Sequence, residues 1–205
     1  MQYIFDACTI INLIKIDEDE FLLKSIKKIS PDICKYVFNE AYSNCNIQHR
    51  NTELKFNYFR ERIYYPEDYL ELKTEIAKRT NYQKNNGELY SVVLSYYLSQ
   101  YESLEVSFHT DDKPAIDHFY SHFMKDKVGV IGDTIDFLKI IKECNSNFTS
   151  SNLKRFLSNL FSEYSAIISA IEKDINSLEI PKTHIRNKEF RIILEATRKS
   201  LKTLN

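Results

Sequence analysis

The sequence predicts an α/β protein: a three-layer α/β/α domain on a mostly parallel sheet, followed by a C-terminal helical extension. Three observations carry this. Short apolar runs alternate with longer stretches whose apolar residues recur at helical spacing. Glycine is scarce, 3 in 205 residues against a usual share of about 7%, and proline is low at 4. So few breakers exclude a many-turned β-sandwich, a collagenous rod and a Gly/Ser linker protein. Finally, beyond residue 153 the apolar residues keep helical spacing for about seven turns.

Taken in order, residues 2–6 form an apolar run ending in Asp6 and read as a buried strand. Ile10, Ile11, Leu13, Ile14 and Ile16 suggest a helix, and 18–29 is helical by period, with acids first and lysines last. Ser30-Pro31-Asp32 breaks it. Ile33 to Phe38 is a second strand candidate, and Asn39-Glu40 opens a helix. Residues 46–66 are polar, ending in a short strand candidate at Ile63-Tyr64-Tyr65. Residues 67–84 look helical, Asn85-Asn86-Gly87 reads as a turn, and Glu88 begins a helix. Leu104 to His109 is a strand running into Thr110-Asp111-Asp112; a helix, a last strand at 128–133 and a helix from Thr134 follow. Polar residues from Asn145 to Ser151 divide an α/β domain, 1–145, from a helical appendix, 146–205. In the appendix a long apolar stripe runs from Leu153 to Leu178, Pro181 ends that helix, and 187–203 make another. Each glycine is expected where the backbone needs one.

Charge and cysteine usage narrow the function. Twenty-eight basic against 29 acidic residues leave a net charge of −1, which excludes a protein that coats DNA through a global cationic field. Four cysteines without a CxxC pair fit reduced thiols, and no run reaches the ~18 apolar residues of a membrane span, so a soluble cytoplasmic protein is expected.

In a parallel sheet, functional groups gather beyond the carboxyl ends of the strands. Asp6 and Asp111/Asp112 fall at such ends, while Glu40 and Glu88 fall near predicted helix starts. Singly, each acid is explained by capping or by the helix dipole. Together, carboxylates sharing a pocket repel one another unless a cation neutralises them, and hard oxygens suit Mg²⁺ or Mn²⁺. Such an ion can lower the pKa of a bound water and stabilise a phosphorane-like transition state.

Five segments carry a resemblance: Asp6-Ala7-Cys8-Thr9-Ile10-Ile11-Asn12-Leu13, Val37-Phe38-Asn39-Glu40, Asn86-Gly87-Glu88-Leu89, His109-Thr110-Asp111-Asp112-Lys113-Pro114-Ala115, and Val130 to Leu138. In this order, across about residues 2–142, they resemble the elements of PIN-domain ribonucleases. Asp133 stands inserted in the closing Gly-Thr element, and Cys8 where a Ser or Asn is common. The resemblance implies a metal-dependent endoribonuclease with catalytic Asp6, Glu40, Glu88, Asp111 and Asp112. Asp6, Glu88, Asp111 and Asp112 would bind Mg²⁺ or Mn²⁺, with Thr9, Asn12 and Thr110 in support. It further implies hydrolysis of RNA to 3′-hydroxyl and 5′-phosphate ends, the toxin of a toxin–antitoxin or defence module as a setting, an antitoxin or other partner protein, and a homodimer.

Other features are weighed beside it. Residues 181–205 hold seven basic residues against two acidic, so Lys182, Arg186, Lys188 and Arg191 are candidate RNA contacts; a solvated face explains them equally. His118 and His122 have the i, i+4 spacing of a zinc pair but lack an HExxH motif, and a surface pair is the simpler reading. Tyr64, Tyr65, Tyr69, Tyr82, Tyr90, Tyr96 and Tyr97 could stack bases, although packing accounts for most of them. Two rival functions remain: a catalytically inactive scaffold that binds a partner protein or RNA through the appendix, and a structure-specific DNA nuclease.

Overall fold

The computed structural model describes residues 1–45, 50–59, 63–65, 69–84, 86–175 and 181–204. The fold is mixed α/β, rich in helix, with a small parallel sheet. Strands β1 (Gln2–Phe5), β4 (Val106–His109) and β5 (Gly129–Gly132) pair in parallel in the order β1-β4-β5. Register aligns Gln2 with Val106 and Phe5 with His109, then Val106 with Gly129 and His109 with Gly132. Strands β2 (Ile33–Cys34) and β3 (Ile63–Tyr64) form a second parallel ladder. A parallel bridge between Ile4 and Asp32, whose N–H donates to the Tyr3 carbonyl at 2.8 Å, brings β2 to the free side of β1. Read across both ladders, the strands run β3-β2-β1-β4-β5. Chain order therefore reverses between β1 and β4, the position where open parallel sheets leave a crevice at their carboxyl ends.

Parallel strands buried on both faces read as apolar runs, and here Tyr3, Ile4, Phe5 and all four residues of β4 are buried. Helix α1 (Ala7–Ile16) leaves β1 directly and buries Ile10, Leu13, Ile14 and Ile16. Helix α2 (Phe21–Ile29) starts later than the acidic run at 18–20, because Glu20 takes a left-handed conformation with φ 59° and Asp17 caps the Leu23 N–H at 2.8 Å. The strand expected through Phe38 stops at Cys34, and helix α3 (Lys35–Asn44) follows at once. Val37, Phe38 and Ala41 are its buried residues, which is helical spacing rather than alternation. Glu40 consequently lies within a helix and not at its start. Helix α4 (Arg50–Phe56) and a 3₁₀ turn (Asn57–Phe59) occupy part of the polar stretch before β3.

Helix α5 (Leu70–Thr80) leads to the central helix α6 (Gly87–Gln100), which packs against β1, β2, β4, α3 and α5 and is buried on nearly every side. Gly87 is the first residue of α6, not part of a preceding turn. Helix α7 (Lys113–Asp126) buries Ala115, Phe119 and Phe123 and packs on β5. Three helices are tied by one polar knot: the Tyr96 hydroxyl donates to Asp126 at 2.7 Å, and the Arg79 guanidinium lies 4.8 Å from the Tyr96 ring centroid and 3.7 Å from the Asp126 carboxylate.

The chain divides into two compact units, Met1–Thr134 and Ile135–Asn205. Helix α8 (Thr134–Cys144) begins at that boundary, and the second unit adds α9 (Ser150–Ile175) and α10 (Pro181–Thr203), which pack on each other. The stripe Leu153, Phe156, Leu157, Leu160, Tyr164 and Ile168 is buried, and Tyr164 meets Phe190 of α10 with ring centroids 5.6 Å apart. Pro181 opens α10, as suits a residue whose missing N–H costs nothing in the first helical turn; the expected stripe's end at Leu178 lies outside the described residues. Among the described residues, no helix is long and apolar enough to cross a membrane.

Candidate active site

Asp6 follows β1 and Asp111 follows β4, so the two strands at the order reversal deliver two carboxylates to one edge. The ladder continues past both: the Asp6 N–H donates to the His109 carbonyl at 3.1 Å and the Thr110 N–H to that of Gly132 at 2.9 Å. Asp6 is 2% exposed and caps α1. Its Oδ1 accepts the Thr9 N–H at 2.9 Å and its Oδ2 the Thr110 hydroxyl at 2.5 Å. Asp111, 6% exposed, accepts the Thr134 N–H at Oδ1 (2.9 Å), and at Oδ2 the Thr134 hydroxyl (2.6 Å) and the Asn12 amide (2.5 Å). Asp112 caps α7 through the Ala115 N–H at 2.8 Å. Its own N–H donates to the Thr110 hydroxyl at 3.1 Å, so one threonine links Asp6 and Asp112.

The supporting residues differ in detail from expectation. Thr110 holds Asp6 through its hydroxyl, as read from the sequence. Asn12, one helical turn further along α1 than Thr9, reaches Asp111 rather than Asp6. Thr9 serves Asp6 with its backbone N–H, while its hydroxyl donates to the His109 carbonyl at 3.0 Å. Two residues were not foreseen as supports. Thr134 grips Asp111 twice. His109, 1% exposed, accepts or donates with Ser107 at Nε2 (2.8 Å) and donates from Nδ1 to the Asp133 carbonyl (3.2 Å), fixing the corner that presents Thr134. The cue for Thr134 was its place as the first helical residue after a strand; a buried histidine inside a strand offers none.

Glu88 lies in the first turn of α6, whose cap Asn86 accepts the Leu89 N–H at 3.4 Å. Glu40 meets it from α3. A Cβ at Gly87 would stand 2.5 Å from Glu40 Oε2 and 3.5 Å from Val37 Cγ2, so glycine here lets α3 and α6 close on each other. The requirement is close approach, since Gly87 has no positive φ.

Electrostatics couple the five carboxylates. Burial pushes Asp6 up to about 8 against its Thr110 and Thr9 hydrogen bonds, and the charges of Asp111 and Glu88 push it further. Burial likewise raises Glu88 to about 7, with its own backbone N–H and Lys84 opposing and Asp112 and Glu40 adding. Burial raises Glu40 as well. Cys8 is open to solvent on one side, yet the protein mass around its thiol, then Asp6, Asp111, Glu88 and Asp112, hold it well above its usual range. The free cysteine at the start of α1 thus senses four acids at once.

The donor set is chemically that of a hard divalent cation: carboxylate oxygens, partly desolvated, whose mutual repulsion a cation would relieve. As they stand, no three His, Cys, Asp or Glu side chains among the described residues are close enough to hold an ion together. The other candidates lie elsewhere. Lys188 and Arg191 are exposed on α10 of the second unit, whereas the Lys182 and Arg186 side chains lie outside the described residues. His118 Nε2 is paired with the Thr80 carbonyl at 3.0 Å, and its ring packs against Tyr82 and Phe119. Tyr69, Tyr82 and Tyr96 are buried core residues.

No family model matches the chain, and no curated protein or solved structure matches it. The site therefore rests on its own geometry and chemistry.

Proposed function

We propose that this chain is a PIN-like, Mg²⁺- or Mn²⁺-dependent endoribonuclease, with the sheet as the middle of a three-layer α/β/α domain. The observation that carries the reading is the meeting of Asp6 and Asp111 beyond the two strands where chain order reverses, with Glu88, Asp112 and Glu40 in the same field. Asp6, Glu88, Asp111 and Asp112 would hold the ion. When bound, a divalent ion activates water and offsets charge developing on a phosphodiester.

The chain's own residues do the rest. Asp6 and Asp111 are fixed by five donated hydrogen bonds, so their oxygens are preorganised rather than free to collapse. Glu88, in the first turn of α6, would bind the ion directly or through a water. Glu40 sets its carboxylate against the start of α6, where its charge is felt at Glu88. Hydrolysis would leave 3′-hydroxyl and 5′-phosphate ends. Lys182, Arg186, Lys188 and Arg191 are proposed to contact RNA phosphates. A cytoplasmic toxin held by an antitoxin or other partner protein, acting as a homodimer, is the setting this reading favours.

Purified chain with Mg²⁺ or Mn²⁺ is expected to cleave a member of an RNA panel, and Asp6→Asn to lose at least about 100-fold of that rate. Identical behaviour of wild type and Asp6→Asn would refute the reading; cleavage confined to flapped or single-stranded DNA would redirect it to a DNA nuclease.

Gly87→Ala separates function from folding. Only the far end of Glu40 has to move, and Gly87 stands at the first position of α6 rather than in its interior, so the melting temperature should hold. The displaced carboxylate should lower cleavage roughly 10-fold or more. A large fall in melting temperature would instead make Gly87 purely structural.

A further inference from the structure

Tyr36 is the tyrosine that the core does not absorb beside the acidic cluster. It stands in the first turn of α3, 41% exposed, and stacks on Tyr90 of α6 with centroids 4.8 Å apart and planes 28° from parallel. Lys73 of α5 lies 4.9 Å from the Tyr90 ring centroid and donates to its hydroxyl at 3.2 Å. Ring stacking and a cation on the ring hold Tyr90 in place, and Tyr90 in turn backs Tyr36. With one face of Tyr36 against Tyr90, its exposure belongs to the outer face and edge.

The position matters as much as the exposure. Tyr36 and Glu40 are four residues apart on α3, on one face and about 6 Å apart along the axis. Glu40 lies against Gly87, and Tyr90 follows Gly87 by three residues on α6. The tyrosine pair and the Glu40–Gly87 contact are successive layers of one α3–α6 seam, and Glu88 sits at its acidic end. The open ring of Tyr36, braced by Tyr90, lies one helical turn from Glu40, and Lys73 stands against the bracing ring. That combination suits a nucleotide: a flat base for the ring and a phosphate for the lysine.

We infer that the outer face of Tyr36 seats an unpaired nucleobase of a single-stranded polynucleotide whose backbone runs past the acidic cluster. This rests on the nuclease reading and assigns its substrate class, because a base within a duplex is already stacked on both faces. Binding here costs little ordering, since the platform is preformed.

The chain has no tryptophan, so Tyr36→Trp places a single reporter at the seat. Tyr36 is a surface residue, and an unchanged melting temperature is the control for folding. In EDTA, a four-nucleotide adenylate RNA should quench the tryptophan saturably, while ribose 5-phosphate and a blunt duplex should not. Adding Tyr90→Ala, which removes the brace and leaves the seat, should weaken that binding a few-fold, less than the roughly 5- to 150-fold expected for losing the stacking ring itself. In the otherwise wild-type chain, Tyr36→Ala should raise the KM for RNA cleavage with kcat held, and Tyr36→Phe should restore KM. Absence of saturable quenching up to millimolar oligonucleotide, or equal quenching by duplex and ribose phosphate, would overturn the inference. Quenching in the Tyr36→Trp chain, when wild type cleaves no member of the RNA panel, would keep the seat and refute the nuclease; cleavage without quenching would refute the seat alone.

Discussion

Asp6→Asn is expected to stabilise the metal-free chain at neutral pH by about 1–3 kcal/mol, raising its melting temperature by roughly 3–10 °C. Asp6 is buried beside Asp111 and Glu88, and its carboxyl is raised from 3.8 to about 8. The folded chain therefore binds more protons than the unfolded chain between those two values. Stability from this group is fully present below about 3.8 and is lost as pH rises through about 8. Glu88 acts in the same direction, from 4.5 up to about 7. Asparagine keeps the capping oxygen for the Thr9 N–H and turns an amide N–H donor toward the Thr110 hydroxyl oxygen, but carries no charge. Melting curves in EDTA from pH 5 to pH 8 should fall for wild type and fall less steeply for Asp6→Asn, in which Glu88 still titrates. A wild-type curve that rises over that window would contradict the electrostatics of the site.

Gly129→Ala should have the largest effect on folding, a loss of about 3–5 kcal/mol. Gly129 opens β5 with φ +149°, and a Cβ there would lie 2.0 Å from the Val106 carbonyl oxygen. That neighbour is backbone, paired in register with Gly129 itself, and cannot step aside without breaking the β4–β5 ladder. The damage would reach the site, because Gly132 at the far end of β5 accepts the Thr110 N–H and leads into Thr134. Chemical denaturation followed by circular dichroism reads the loss directly; a change under 1 kcal/mol would mean that β5 is not held as described.

Much of the fold is legible in the sequence. Strands β1 and β4 are buried on both faces, and the acids that follow them could be placed by that fact; β5 is an edge strand with Val130 exposed, and only its short apolar run marks it. The end of β2 was not legible. Val37 and Phe38 prolong an apolar run, and only the packing of α3 on α1 and α6 decides for helix over strand. The glycines had addresses but not reasons: Gly129 answers to a positive φ, whereas Gly87 answers to a neighbour's carboxylate 47 positions earlier in the chain. Asn12 to Asp111 and Tyr36 to Tyr90 are likewise pairings between distant segments. Spacing along one helix says which face a residue is on, not which partner that face will meet.

The central claim is that Asp6, Glu88, Asp111 and Asp112 together hold a divalent ion, and thermal denaturation with and without Mn²⁺ tests it most directly. At a concentration 100-fold above Kd, mass action predicts a stabilisation of about 2.7 kcal/mol for wild type, a rise of roughly 5–10 °C. Asp6→Asn, already more stable without metal, should not respond. A wild-type melting temperature indifferent to Mn²⁺, or an equal rise in Asp6→Asn, would contradict the account.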